Sequence, residues 1–332
     1  MGQAEVRLEI VKCHGSGNDF PLIDARPWEL DDAQWTRVAR ALADRSGPVG
    51  GDGLLILSKS LKNNDFSMRM FNVDGSEAET CLNGLRCVAR MGFETLGLDR
   101  ATVQLKTSTA AVERDAPLAE GVVTIRETAG PASLRIADWP MYDIPGETIV
   151  EAPVPPLDSR RLFTAVAMPN PHLVTFVDTL DEAELVAVGE ACEAAPAWLP
   201  HRANVSFVEV RSSDADSDPN SGSGQALYVR TFERGVGLTD SCGSAMAASS
   251  FAACLTGRLR YGAPITVFNR GGLVRASVGE DAMVQLSGNA TWEWAGSIEV
   301  DPDTGRTGDL VVHQRFHDEI AAWSRVADAA SR

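Results

Sequence analysis

Two of the six cysteines stand in matching sequence contexts. Residues 71–84 read FNVDGSEAETCLNG and residues 232–245 read FERGVGLTDSCGSA, so a strand-like segment and a glycine-containing loop precede both Cys81 and Cys242. The two cysteines are 161 residues apart (242 − 81), about half of the 332-residue chain. This spacing predicts two similar domains that face each other, and the alternative is a chance likeness of two glycine-rich turns.

A cysteine at the start of a helix is suited to acid–base chemistry. The first turn of a helix offers unpaired backbone N–H groups and a partial positive charge, which favour a thiolate and bind carboxylates. Two such ends aimed at one α-carboxylate would stabilise the enolate-like charge that forms when an α-proton leaves. One thiolate would remove that proton and the other thiol would protonate the opposite face, which inverts the centre without a cofactor.

Hydrophobic periodicity predicts that both cysteines open helices. After Cys81, apolar or small residues recur with helical spacing up to a stop at Gly97, and after Cys242 the run GSAMAASSFAACLTG carries five alanines and no charge before Gly257. An uncharged helix of small residues is usually buried. Further helices are expected at 31–44, with Trp35, Val38, Ala39 and Leu42 on one face, and in the tail at 312–330.

Most other segments read as short strands separated by turn signals. The alternating segments are 103–109, 122–126, 173–177, 205–210 and 227–231. The stretch from 212 to 224 consists of Ser, Asp, Gly and Pro with almost no apolar residue, and it predicts an exposed loop. Helical patterns are fewer than strand patterns, and 332 residues fit two domains.

Composition limits the kind of partner. The net charge of −16 argues against nucleic acid and anionic membranes. No apolar run approaches the roughly 18 residues of a membrane helix, and the N-terminus lacks a secretory pattern, so a cytoplasmic protein is expected. The six cysteines include no C-x-x-C pair, which disfavours a structural zinc site. Neither a metal nor another cofactor, pyridoxal phosphate included, is predicted.

Six motifs in order resemble the diaminopimelate epimerase family. They are HGSGNDF at 14–20, DGLL at 52–55, FNVDGSEAETCLNGLRC at 71–87, NPH at 170–172, NVSFV at 204–208, and ERG at 233–235 with SCGS at 241–244. The resemblance covers roughly residues 6–300. It implies two pseudo-symmetric α/β domains, each with β-strands wrapped around a central helix, and an active site in the interdomain cleft.

The resemblance also implies the domain bounds and the reaction. The N-terminal domain would span 1–137 and regain about 289–302, the C-terminal domain would span 138–288, and 303–332 would be an extension. The implied activity is cofactor-independent epimerisation of LL-diaminopimelate to meso-diaminopimelate, a step toward lysine and the cell wall. The expected partner is a small amino-acid substrate, and a homodimer is one expectation for the assembly.

Site residues carry over from the matching motifs. Cys81 and Cys242 match the catalytic pair, and His172 and Glu233 match the groups beside them. The implied substrate contacts are Asn18, Asn72, Leu82, Asn83, Asn170, Asn204, Glu233, Arg234, Gly243 and Ser244. From the residues alone, Asn18 and Asn72 could merely hold turns, His172 could have a structural role, and Arg234 could form an ordinary surface ion pair with Glu233.

Two departures from the family pattern concern the substrate. Leu82 stands where the family usually has glycine after the first cysteine, and Leu238 stands where the second motif usually has a carboxylate. A racemase of another amino acid is therefore the nearest alternative, since one fold serves several functions. An isomerase of a non-amino-acid substrate and a non-catalytic amino-acid-binding protein are more distant alternatives, and the retained cysteine pair disfavours both.

Overall fold

The computed structural model describes residues 5–168, 170–212 and 225–330. This part of the chain folds into two compact units. Unit 1 runs to Glu127 and regains Ser287–Val326, whereas unit 2 spans Thr128–Leu286 and takes the residues from Ala327 onward. The domain bounds expected from the resemblance, at 137 and 302, stay predictions.

The described residues form five helices and seventeen strands. The helices are α1 (Asp32–Ala43), α2 (Leu82–Leu96), α3 (Glu182–Glu193), α4 (Gly243–Leu255) and α5 (His317–Ala330), with short 3-10 helices at Ile136–Asp138 and Pro155–Leu157. The strands are β1 (Val6–Gly15), β2 (Asn18–Asp24), β3 (Gly53–Ser58), β4 (Phe66–Asn72), β5 (Arg100–Gln104), β6 (Thr109–Arg114), β7 (Thr124–Ala129), β8 (Thr164–Met168), β9 (Asn170–Phe176), β10 (Asn204–Ser212), β11 (Gln225–Glu233), β12 (Gly237–Thr239), β13 (Ile265–Asn269), β14 (Gly272–Val278), β15 (Val284–Asn289), β16 (Thr291–Val300) and β17 (Val311–Arg315).

Unit 1 is a mixed sheet wound around α2. Its strands pair in the order β17-β16-β1-β2-β3-β4-β5-β6-β7, with parallel pairing only at β2–β3 and β4–β5. Helix α2 packs against all six strands from β1 to β6. Its glycines permit this approach, because a Cβ at Gly84 would lie 2.6 Å from Leu55 Cδ2 and one at Gly92 would lie 2.6 Å from Phe66 Cζ. Helix α1 packs against β2, β3 and β4.

Unit 2 repeats this plan around α4. Its strands pair in the order β8-β9-β10-β11-β13-β14, with parallel pairing at β9–β10 and β11–β13, and β12 folds back antiparallel on β11. Helix α4 packs against all six of the strands in this order. Every residue from Gly243 to Cys254 is buried, as expected for a helix without charge. The predicted α/β fold, with strands wrapped around a central helix in each half, is confirmed.

Helix boundaries follow the local signals closely. Asp31 caps α1 in a capping box with Gln34, and Trp35, Val38, Ala39 and Leu42 are all buried. Cys81 and Cys242 are the N-cap residues of α2 and α4. Gly97 ends α2 in the left-handed conformation (φ 69°), which glycine adopts at little cost.

Two predicted elements are wrong in part. The alternating segment 103–109 is the end of β5, a turn closed by the Leu105 N–H to the Ser108 carbonyl, and the start of β6. The predicted helix at 312–330 begins only at His317, because residues 311–315 pair with β16. Both errors arise because these segments pair with another strand, β5 with β6 and β17 with β16. The periodicity of one segment does not reveal the strand with which it pairs. The loop expected from 212 onward lies, after Ser212, outside the described residues.

Candidate active site

Cys81 occupies the capping position of α2. Its backbone is extended (φ −150°), and its Sγ accepts a hydrogen bond from the Gly84 N–H at 3.4 Å. The sulfur thus takes the place that a serine or aspartate oxygen usually fills at a helix start. The side chain is half-buried, and its Sγ lies 3.9 Å from Asn18 Oδ1.

Asn18 reaches Cys81 from the turn between β1 and β2. Ser16 and Gly17 form this turn with positive φ values of 52° and 82°. The Asn18 amide nitrogen donates to Asp52 Oδ2 at 2.5 Å, which leaves Oδ1 directed to the thiol. Asp52, from the DGLL motif, therefore orients the Asn18 amide.

Leu82 and Asn83 are the first two residues of α2, and both are buried. Asn83 Oδ1 accepts a hydrogen bond from Arg86 Nη2 at 2.8 Å. First-turn N–H groups have no partner further back in their own helix. These two positions are therefore suited to binding an anion beside Cys81.

Arg86 is a part of this region that sequence reasoning missed. Its side chain is fully buried and donates to Asn83, Ser16, Glu127 and the Asn289 carbonyl. The available signal was a charged residue between Leu85 and Cys87 in an otherwise apolar stretch of helix. Its partners lie up to 203 residues away, so no local pattern could indicate them.

Asn72 is engaged in its own turn at the end of β4. Its amide nitrogen donates to Ser76 Oγ at 2.9 Å, its N–H donates to the Ser76 carbonyl, and its carbonyl accepts from the Gly75 N–H. These three hydrogen bonds all lie within residues 72–76. These contacts match the turn-holding interpretation of Asn72, and its contact with substrate stays a prediction.

Cys242 caps α4 in a more buried setting. It is 8 % exposed, its Sγ lies 3.5 Å from Ser244 Oγ, and Gly243 and Ser244 form the start of the first helical turn. Burial and the Glu233 carboxylate raise the pKa of the Cys242 thiol well above its usual value, although Ser244 and the Ala245 N–H act against this. Desolvation therefore outweighs the influence of the first-turn N–H groups at Cys242.

Glu233 ends β11 and faces the Cys242 region. Its Oε1 accepts a short hydrogen bond from Thr239 Oγ1, and Glu233 pairs with Gly237 where β12 returns along β11. Leu238, at the centre of β12, pairs with Phe232 and is 36 % exposed. The departure at Leu238 therefore lies on the same hairpin as the Glu233 carboxylate.

His172 and Asn204 are register partners on the parallel strands β9 and β10. His172 Nε2 lies 3.1 Å from Asn170 Oδ1, and Asn204 Oδ1 accepts from the Arg234 N–H at 2.9 Å. His172 Nδ1 and Asn204 Nδ2 are buried and find no hydrogen-bond partner among the described residues. Buried polar atoms are normally paired, so two neighbouring exceptions favour a ligand site.

Charge and burial fix the ionisation of His172. Burial and the nearby Arg234 guanidinium lower the pKa of His172 to about 3, so the imidazole is neutral at physiological pH. Arg234 is half-buried and donates from Nη1 to the His201 carbonyl at 3.1 Å. A fixed cation beside buried amides is an arrangement that recognises a carboxylate.

The structure therefore assembles two clusters from the predicted residues. In unit 1 the cluster is Asn18, Cys81, Leu82 and Asn83, and in unit 2 it is Asn170, His172, Asn204, Glu233, Arg234, Cys242, Gly243 and Ser244. Within the described residues, no group of three or more His, Cys, Asp or Glu side chains is placed to hold a metal ion. Over the same residues, no helix is long and apolar enough to cross a membrane.

Comparison with known proteins gives a consistent result. Residues 10–122 and 164–293 match a family model described as diaminopimelate epimerase. A diaminopimelate epimerase of Clostridium acetobutylicum is 38 % identical over 302 residues, covering 89 % of this chain and 87 % of that protein. One from Listeria monocytogenes is 36 % identical over 310 residues, covering 90 % of each.

Solved structures share the fold at low identity. A phenazine biosynthesis protein of Bacillus anthracis matches with a TM-score of 0.61 at 15 % identity, over 89 % of this chain and 99 % of that one. A hydroxyproline epimerase of Agrobacterium vitis matches with a TM-score of 0.57 at 13 % identity, over 90 % and 94 %. A methylitaconate-delta-isomerase matches with a TM-score of 0.59 at 12 % identity, over 94 % and 100 %. At such identities the likeness concerns the fold alone.

Proposed function

We propose, because this chain belongs to the diaminopimelate epimerase family, that it interconverts LL- and meso-diaminopimelate with Cys81 and Cys242 as an acid–base pair. The observation that carries the proposal is that each of these cysteines is the N-cap residue of a helix at the centre of its own unit. A thiol in that position lies beside N–H groups that bind a carboxylate.

The reaction removes one proton from the α-carbon and adds one proton to its opposite face. One cysteine, as thiolate, takes the α-proton, so the Cα–H bond breaks and an S–H bond forms. The other cysteine gives its proton to the opposite face of the carbanion and becomes the thiolate. No redox change occurs, and the reverse direction exchanges the two roles.

The setting of Cys242 suggests how the cycle starts. Its raised pKa keeps it protonated in the resting protein, which suits the proton donor. Cys81 is then the base in this direction, and the Gly84 N–H, which donates to its sulfur at 3.4 Å, favours the thiolate, whereas Asn18 Oδ1 at 3.9 Å accepts from the thiol while it is protonated. Opposite protonation states of two similar groups are the usual basis for an acid–base pair.

Backbone N–H groups are expected to stabilise the charge that develops on the substrate. In this proposal those of Leu82, Asn83, Gly243 and Ser244 bind the α-carboxylate, whose oxygens gain charge as the α-proton leaves. His172 is neutral and buried, so it supplies a hydrogen bond to the substrate rather than a charge. Glu233 is the expected partner of a substrate ammonium group.

Arg234 and the amides of unit 2 fit the far end of diaminopimelate. That substrate carries a second amino-carboxylate group, which a site must pair with fixed polar groups if it is to be buried. Arg234 supplies the cation, and Asn170 and Asn204 supply the amides. The buried Nδ2 of Asn204 has no hydrogen-bond partner among the described residues. Asn72 is the remaining amide in the proposed contact set.

Deuterium uptake at Cα in heavy water tests this function. Protein is incubated with LL-diaminopimelate, L-lysine, L-glutamate and L-proline, and uptake is measured by mass spectrometry. L-Lysine is the matched control because it lacks only the distal carboxylate. Uptake into diaminopimelate should exceed uptake into lysine at least about 100-fold, because the unfilled polar site would oppose binding of the shorter substrate.

The nearest alternative is a racemase of a different amino acid. Leu82 favours it, since this buried leucine stands directly after Cys81 where the family usually has glycine. Uptake confined to a monocarboxylic amino acid would support this alternative and would leave the two-thiol chemistry intact. No uptake into LL-diaminopimelate would contradict the proposed function, and no uptake into any of the twenty protein amino acids, tested in the same way, would contradict the alternative.

A further inference from the structure

Arg86 joins four separate segments of unit 1. Its Nη2 donates to Asn83 Oδ1 at 2.8 Å and to Ser16 Oγ at 3.3 Å. Its Nη1 donates to Glu127 Oε1 at 2.7 Å, and its Nε donates to the Asn289 carbonyl at 3.1 Å. The planar guanidinium thus fixes the first turn of α2, the β1–β2 turn, β7 and β15 at one point.

The protein holds a narrow slot for this guanidinium. A Cβ added at Gly288 would lie 2.6 Å from Arg86 Cζ, and one added at Gly15 would lie 3.0 Å from Arg86 Nη2. The side chain is fully buried, so it cannot reach solvent or a ligand in solvent. Two close backbone approaches indicate that the position of Arg86, and not only its charge, is specified.

The counter-charge of Arg86 is equally buried. Arg86 and Glu127 both have side-chain exposures of 0 %, and Glu127 Oε2 has no hydrogen-bond partner among the described residues. Desolvation makes such a pair a poor source of stability compared with apolar residues of similar volume. An ion pair at this place is therefore better explained by what it orients.

Both segments next to Cys81 are held by Arg86. Asn83 lies in the helical turn that Cys81 caps, and Ser16 lies two residues before Asn18, whose Oδ1 is 3.9 Å from Cys81 Sγ. With Asn83 Oδ1 facing the guanidinium, the Asn83 amide nitrogen must point away from Arg86. The guanidinium thereby sets the relative placement of the two groups around the thiol.

We propose that Arg86 is a positioning residue of the active site, which holds Asn83 and the Ser16–Asn18 turn around Cys81 without touching the substrate. Its effect on turnover rests on the proposed function. Its effect on the Cys81 environment does not, because the chemical reactivity of this thiol is measurable without any substrate.

The experiment compares Arg86→Lys with Arg90→Lys in the full chain. Arg90 is the matched control, because it lies one turn later on α2, is buried, and pairs with Glu94 and Glu319 on the side of α5. Lysine keeps each charge but cannot bind several acceptors in one plane. Three quantities are measured: kcat and KM with LL-diaminopimelate, the thermal unfolding midpoint, and the pH profile of Cys81 alkylation by iodoacetamide from peptide masses.

Arg86→Lys should lower kcat about 10- to 100-fold with a much smaller change in KM, because a slightly misplaced base acts on the chemical step. It should also shift the alkylation profile of Cys81. Both variants should lower the thermal unfolding midpoint by a similar amount. Arg90→Lys, however, should leave kcat and the Cys81 alkylation profile near those of the natural chain. Equal losses of kcat in both variants, or an unchanged Cys81 profile in Arg86→Lys, would overturn the proposal.

A milder change covers the case in which Arg86→Lys does not fold. Ser16→Ala removes one acceptor of Arg86 and leaves the Ser16 N–H bonded to Asn289. It should shift the Cys81 alkylation profile in the same direction as any folded Arg86 variant, and an unshifted profile would overturn the proposal. If the natural chain epimerises no amino acid, the proposed function fails, whereas the alkylation comparison still decides the role of Arg86.

Discussion

The two cysteine helices begin alike but are held by different means. Helix α2 is held by its own side chains, since the buried Arg86 and Arg90 donate hydrogen bonds to other segments of unit 1. Helix α4 has only small or apolar residues, all buried from Gly243 to Cys254, and its start is held by side chains outside it. Arg230 donates to the Thr239 carbonyl at 2.7 Å, and Asn269 donates to Ser241 Oγ at 3.2 Å.

The two thiols also differ in their settings. Cys242 is buried next to Glu233, and both burial and the carboxylate raise the pKa of its thiol. Cys81 is half-exposed, and its Sγ accepts a hydrogen bond from the Gly84 N–H. Two helix starts that are alike in sequence therefore give the same side chain different burial and different polar neighbours.

Loss of either thiol should have the largest effect. Cys81→Ala and Cys242→Ala should each lower epimerisation of LL-diaminopimelate by at least about 1,000-fold, because each removes one of two required proton transfers. The double variant should be no less active than the poorer single variant, since the two groups act as a unit. Full activity in either single variant would contradict the two-thiol scheme.

Cys87→Ala is the matched control for these variants. Cys87 lies on the same helix as Cys81, is fully buried, and contacts Cys13 in the core of unit 1. It should retain most of the activity. A loss as large as that of Cys81→Ala would show that the assay responds to damage in α2 rather than to the missing base.

The two buried arginines should differ in their effect on stability. Arg86→Met leaves the Glu127 carboxyl buried without its partner, so that it must be either uncompensated or protonated, which should lower the free energy of unfolding by about 3–5 kcal/mol near pH 8. Arg230→Met leaves Glu182, whose side chain is 46 % exposed and can be hydrated, so the loss should be about 1–2 kcal/mol. Urea denaturation curves measure both values, and equal losses would contradict the difference drawn between the two supports.

A smaller effect should appear in the pH dependence of stability. Burial raises the pKa of Glu127 from 4.5 to about 7, against the opposing influence of Arg86. Between these pH values the folded state binds more protons at this site than the unfolded state, so the site makes stability fall as pH rises through that window. Glu127→Gln removes this titrating group, so stability should fall less steeply with rising pH in the variant.

Thermal unfolding midpoints at half-unit pH steps from about 4 to 8 measure that slope. Glu113→Gln is a suitable control, because Glu113 is a carboxylate of the same unit that is ion-paired to Arg126 while 36 % exposed. The slope of the control should stay close to that of the natural chain. An equal change of slope in both variants would exclude Glu127 as the source.

Much of the fold and of the candidate site could be predicted from the sequence. Local rules identified the start of both cysteine helices, the helix close to 31–44 and the end of α2 at Gly97. The motif resemblance pointed to the residues that the structure places around Cys81 and Cys242, whereas the Asn72 side chain bonds to Ser76 within its own turn. These features depend on residues a few positions apart, which a linear pattern records directly.

The sequence alone determined that two helices begin at Cys81 and Cys242, because N-caps, helical periodicity and stop signals act over one or two turns. Only the tertiary structure decided that Arg86 bonds to Asn289, 203 residues away, that residues 311–315 join β16, and that Cys242 is enclosed with Glu233. Burial depends on what packs from elsewhere in the chain. The protonation of a thiol and the partners of a buried arginine are therefore properties of the folded molecule.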